Sequence, residues 1–140
     1  ILLKFKNRTF IVPFVATFIM VMWDLCMDPL SSTVASLWVW PRGGAYYGVP
    51  LQNYFGWFLC VYTIFQVFAF YIFTNESYYA APKKFWREAI FLYGIQALVQ
   101  LISPFTIATN RDIYGPMALI TLFTMVFVAL ISYVTLEEQT

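Results

Sequence analysis

Four stretches of this sequence stay apolar for about as long as a helix needs to cross a bilayer. That constrains the fold more than any motif does. They cover residues 10–27, 54–73, 89–103 and 117–136. A spanning helix takes about 17–25 mainly apolar residues. In hydrocarbon only helices and closed barrels satisfy every backbone N–H and C=O. Composition agrees: 61% of the residues are hydrophobic and 11% charged, against roughly 45–50% and about 25% in a soluble chain. Mean hydropathy is +0.72, and too few polar groups remain to cover a surface in water. The expected fold is all-α: a polytopic transmembrane helix bundle of about four spanning helices, a single transmembrane domain over residues 1–140.

Prolines set the expected helix ends. Pro13 falls in the first turn of the first helix, where a missing N–H costs little. Pro29 closes that helix, because the residue before a proline is pushed out of the α region. Pro104 closes the third, residues 107–115 form a polar turn, and Pro116 takes the first position of the fourth. The connection from Pro29 to Asn53 is too rich in turn formers for one regular element, although Ser31–Ser36 suits a short helix or re-entrant piece. Tyr62 and Gln66 share a helix face. So do Gln96 and Gln100, which should point into the bundle and glue helices together. Cys26 and Cys60 read as two buried free thiols, not a disulfide.

Charge gives an orientation. With the start of the chain inside, Lys4, Lys6, Arg8, Lys83, Lys84 and Arg87 lie inside, and Arg42 and Arg111 outside. Cytoplasmic loops carry the excess of Lys and Arg, so residues 24–57 are expected on the outer face. Asn7-Arg8-Thr9 and Asn75-Glu76-Ser77 match the glycosylation pattern but fall on the inner side. The net charge of +1 supplies no field to recruit nucleic acid. With no histidine, the chain lacks the commonest metal ligand and the usual base of a nucleophilic triad.

Polar chemistry collects between Asp24 and Trp57. Asp24 and Asp28, at i and i+4, share a helix face at a membrane boundary, where an ionisable group is a functional-site hypothesis by default. Two close carboxylates resist ionising together, so one can hold a proton as an acid while its neighbour acts as base. In the bland alternative, Asp28 caps a short helix after Pro29 and Asp24 pairs with Arg42. Aromatics follow. Tyr54 and Trp57, at a helix start, read first as interface anchors. Trp38 and Trp40 sit in a loop with Arg42, Tyr46 and Tyr47, and aromatic faces attract cations where water is excluded. Acid beside aromatic walls suits a reaction through a carbocation.

Asp28-Pro29, Trp38-Val39-Trp40, Gly44-Ala45-Tyr46-Tyr47-Gly48-Val49-Pro50 and Asn53-Tyr54-Phe55-Gly56-Trp57, in this order and spacing, resemble the carotenoid biosynthesis membrane family. That family includes CruF-type carotenoid 1,2-hydratases and bisanhydrobacterioruberin hydratase. The likeness is dense through the loop and looser over the flanking helices, and it implies the C-terminal part of a longer membrane enzyme in a prokaryotic cell (inner) membrane. It also implies a hydro-lyase: a proton is added to a terminal trisubstituted double bond of an acyclic carotenoid, and water captures the tertiary cation, with no cofactor or metal. On that reading Asp24 and Asp28 are the acid and base. Trp38, Trp40, Arg42, Tyr46, Tyr47 and Trp57 line the end-group pocket, and Asn53 orients the water. Its partners are the bilayer, the carotenoid, water and other carotenoid-pathway membrane enzymes.

Two rival classes stand beside it. A membrane prenyltransferase or cyclase is one, but holding a diphosphate takes magnesium-binding aspartate clusters, and this chain has a single Asp pair on that side. A transporter or assembly protein is the other. Broken helices in paired repeats mark transporters, and the sequence contains no internal repeat.

Overall fold

The computed structural model describes residues 8–74, 81–106 and 109–138. Lys4, Lys6, Asn7 and the Asn75–Ser77 sequence lie outside them. Among the described residues four helical runs are long and apolar enough to cross a membrane: Arg8–Val34, Leu51–Thr74, Lys83–Thr106 and Arg111–Glu137. The first joins α1 (Arg8–Pro29) to a π-helical turn, Leu30–Val34. The second is α2 (Leu51–Thr74) and the third α3 (Lys83–Thr106). The last joins α4 (Arg111–Thr121), a second π-helical turn over Leu122–Val126, and α5 (Phe127–Glu137).

The helices alternate in direction. Gln66, late in α2, reaches Thr9 at the start of α1. At that end too, Lys83 and Arg87 of α3 pair with Glu137 of α5, at 3.1 and 2.8 Å. At the other end the loop after α1 meets the start of α4, where Tyr46 Oη lies 3.8 Å from Met117 Sδ. α1 packs on α2 through edge-to-face rings, Phe14 and Phe18 on Phe58 at 5.7 and 4.9 Å. α3 packs on α4 and α5, and α1 touches α4 and the second π-turn, so the two helix pairs form one bundle. Its interior is small: Cys26, Ala97 and Met125 make one core, and Val21, Val49 and Tyr54 the other. Most large apolar side chains, such as Phe55, Phe73, Phe91 and Phe123, point outward, as lipid-facing side chains do.

The prolines do not end the helices. Pro13 and Pro29 lie inside α1, Pro104 inside α3 and Pro116 inside α4. Arg111–Gly115, expected as a polar turn, already belongs to α4. A helical proline leaves the carbonyl four residues earlier without its usual donor. Here side chains replace that donor. Gln66 Nε2 donates to Thr9 O at 2.9 Å, Tyr46 Oη to Leu25 O at 3.1 Å, and Ser103 Oγ to Gln100 O at 2.7 Å. These carbonyls stand four residues before Pro13, Pro29 and Pro104. In a low-dielectric surrounding such replacement is what lets a proline stay within a span.

Two further expectations change. Gln100 is buried and its Oε1 accepts from Thr121 Oγ1 at 2.9 Å, but Gln96 is exposed. Four residues turn a helix by about 400°, enough to carry one member of the pair out of a narrow seam. Both cysteines are free thiols, yet only Cys26 is buried; Cys60 is exposed on α2.

Candidate active site

Residues 35–50 fold back over the end of α1 as a compact roof. Tyr46 and Val49 pair backbone to backbone, N to O at 3.2 and 2.9 Å, across a two-residue turn. Tyr47 and Gly48 both have positive φ, 48° and 87°, as a type I′ hairpin turn demands. Thr33 Oγ1, in the first π-turn, donates to Tyr47 O and holds the less favourable of those residues. A Cβ at Gly48 would lie 2.6 Å from Thr33 Oγ1, and one at Gly44 only 1.9 Å from the Val49 carbonyl carbon. The glycines therefore let the roof close on itself and on α1. Val49, fully buried, plugs the gap between Val21 and Tyr54.

Under this roof the two aspartates differ. Asp28 is 1% exposed and both its oxygens are engaged: Trp38 Nε1 donates to Oδ1 at 3.1 Å and Asn53 Nδ2 to Oδ2 at 2.6 Å. It ties α1 to the loop and to α2. It does not cap a new helix, since the helical path runs on through Pro29 into the π-turn. Asp24, one turn earlier on the same face, has a buried Oδ2 with no hydrogen-bond partner among the described residues. No ion pair joins it to Arg42, which is exposed. The two carboxyls lie within electrostatic range of each other.

The aromatics also divide. Trp38 is partly exposed and spends its N–H on Asp28. Trp40 packs against the Val21–Val49–Tyr54 core, and its Nε1 is buried without a partner. Tyr46 stacks edge-on against Tyr47 and Tyr54 at 5.1 and 5.4 Å. Burial pushes its hydroxyl up from the usual tyrosine range, so it stays a protonated donor to Leu25 O. Trp57 is 49% exposed, in keeping with an interface anchor. Tyr54 is not one: it is 7% exposed, its hydroxyl has no partner, and Asp24 and Asp28 both act on it electrostatically. The inward stripe Tyr54, Phe58, Val61 carried that signal in the sequence, at i, i+4 and i+7.

A groove of about 630 Å³ opens beside the roof, lined by Trp40, Asn53, Gly56, Trp57 and Cys60 among others. Trp40 borders both the groove and the buried core, and Asn53 both the groove and Asp28. A Cβ on Gly56 would meet nothing within 4 Å, so glycine there keeps the floor of the groove low. A second groove, about 600 Å³ and almost wholly apolar, runs along α3 and α5 from Arg87 towards Leu101, away from the acid pair. Among the described residues no three His, Cys, Asp or Glu side chains gather as a metal site.

Four helices long and apolar enough to cross a membrane, with two neighbouring carboxyls under an aromatic roof at one end, define an all-α bundle of the membrane class. The chain belongs to the carotenoid biosynthesis protein family, whose model matches residues 3–128. Neither a curated protein nor a solved structure matches it.

Proposed function

We propose that this protein adds water across the terminal trisubstituted double bond of an acyclic carotenoid, through a tertiary carbocation, to give a tertiary alcohol. The observation that carries this reading is the inequality of the aspartates: Asp28 is clamped by two donors, whereas Asp24 keeps a buried oxygen unengaged within electrostatic range of Tyr54. Asp24 is then the group free to give a proton and take one back. Asp28 fixes the roof and lends negative charge nearby. Trp40, packed against the same core, supplies the electron-rich ring that stabilises the developing cation, a contact worth about 2 kcal/mol or more when water is excluded. The groove between Trp40 and Trp57 admits the end group from the lipid. Tyr46 and Tyr47 belong to the roof, Asn53 holds Asp28, and Arg42 is exposed on the roof, outside the lining of the groove. An acyclic C40 polyene is about as long as the hydrocarbon core is thick, roughly 30 Å, so its end reaches this depth.

The test is purified protein in proteoliposomes loaded with an acyclic C40 carotene. The expected product is heavier by one water, with the oxygen label of the solvent. An unchanged carotene, from protein that is folded, would overturn the reading. The positive-inside count supports an orientation with loop 35–50 on the outer face of the cell membrane. In a Cys60→Ser background, an impermeant thiol reagent added outside should label Arg42→Cys and spare Lys84→Cys; the reverse would invert the topology.

A further inference from the structure

Among the described residues, three buried polar atoms at this end of the bundle have no protein partner: Asp24 Oδ2 on α1, Trp40 Nε1 in the roof and Tyr54 Oη on α2. Buried polar groups are nearly always hydrogen-bonded, and each exception calls for an explanation. Tyr54 and Trp40 belong to one packed cluster with Val21, which stands three residues before Asp24 and neighbours it on the surface of α1, and Tyr54 lies within electrostatic range of Asp24. The set holds one acceptor, one donor and one hydroxyl that does both. A hydrocarbon end group satisfies none of them. A water molecule, which takes 2–4 polar partners when buried, satisfies them all.

We propose that Tyr54, with Trp40 Nε1 and Asp24 Oδ2, binds the water that captures the carbocation, so that Tyr54 decides whether the cation becomes alcohol or reverts to alkene. This rests on the hydration reading above. Asp24 gives its proton to the CH carbon of the double bond, leaving a tertiary cation. The oxygen of the water held by Tyr54 bonds to that cation, and one proton of the water returns to the Asp24 carboxylate. The net change is one water added to one double bond. Without a positioned water, the cation instead loses a proton from an adjacent carbon to the same carboxylate, and the alkene is restored.

In deuterium oxide these two fates separate. Reversion leaves deuterium in recovered carotene, and capture gives alcohol. Tyr54→Phe keeps the ring that stacks on Tyr46 at 5.4 Å and removes only the hydroxyl. We expect it to lower alcohol formation by roughly tenfold or more, since misplacing a reactant by about 1 Å can cost on the order of a hundredfold. Deuterium uptake into recovered carotene should persist or rise. Asp24→Asn should abolish both. If Tyr54→Phe lowers uptake and alcohol together, Tyr54 serves the proton donor or the fold, and the proposal falls. Alcohol formation at the wild-type rate in Tyr54→Phe would also overturn it, with the hydration reading intact. Absence of alcohol and of uptake in the wild type would remove that reading itself.

Discussion

Two of the places where this bundle buries polar side chains settle them differently. Between α3 and α4 the count closes: Gln100 Oε1 takes the Thr121 hydroxyl, and the carbonyl freed by Pro104 takes the Ser103 hydroxyl. Beneath the roof the count does not close. Asp28, Trp38 and Asn53 satisfy one another, while Asp24, Trp40 and Tyr54 each retain an unengaged atom. A matched pair holds helices together and asks for nothing more. An unmatched cluster, in a setting where an unpaired polar group costs about 1–3 kcal/mol, is where a substrate or water belongs. Burial alone thus does not mark the site, and neither does one unmet atom, since Gln66 Oε1 between α1 and α2 is also buried without a partner among the described residues; the gathering of three at one end does.

That contrast can be broken by substitution, and the largest effect is expected at Asp24. Asp24→Asn should lower hydration by about 10²–10⁴-fold, the usual worth of a general acid–base group, at near-normal yield and melting temperature. Normal turnover of folded Asp24→Asn would reduce the unmatched cluster to a packing defect. Asp28→Asn should act first on structure. Its amide offers donors where Trp38 and Asn53 also donate, so stability should fall by about 1–3 kcal/mol, and trypsin should cut sooner at exposed Arg42. Thermal melts and timed proteolysis in detergent read both, and an unaltered roof would deny Asp28 its clamping role.

Trp40→Leu should slow turnover more than tenfold, in line with about 2 kcal/mol from a dry cation–π contact, while Trp40→Phe is milder. Trp38→Phe should resemble Asp28→Asn in loosening the roof. Equal rates for the Leu and Phe variants of Trp40 would make its ring structural. The smallest effects belong to the matched pair. Gln100→Leu and Thr121→Val should each cost about 1 kcal/mol of stability, and the double variant little more than the poorer single, because neighbours in contact are not additive. Turnover should hardly change in any of them; a large loss would show that this pair also belongs to the site.

Much of this was legible in the chain. The four apolar runs pointed to the helical bundle, and the crowding of Asp, Trp, Tyr and Gly from Asp24 to Trp57 pointed to the end where its polar side chains gather. The helix limits were not legible. The local rule on the residue before a proline makes Pro29 and Pro104 stops, yet each freed carbonyl finds a side-chain donor, and the one for Pro29 comes from Tyr46 in the loop. Tyr54 was misjudged for a related reason. Its position at a helix start fits an interface anchor, and only the closing of the roof through Val49 buries it.

What the sequence determined by itself is the solvent of this protein and the number of its spans, because transfer of apolar side chains out of water depends on composition and run length and needs no partner. It also determined which residues could carry chemistry, since seven acids and no histidine leave few choices. Tertiary structure alone decided which aspartate is held and which is free. At i and i+4 the two are equivalent along α1, and the difference between them lies in Trp38 and Asn53, 10 and 25 residues beyond Asp28. Hydrogen bonds of that reach depend on the path of the loop, which is fixed only when Gly44, Gly48 and Val49 seat the roof between α1 and α2.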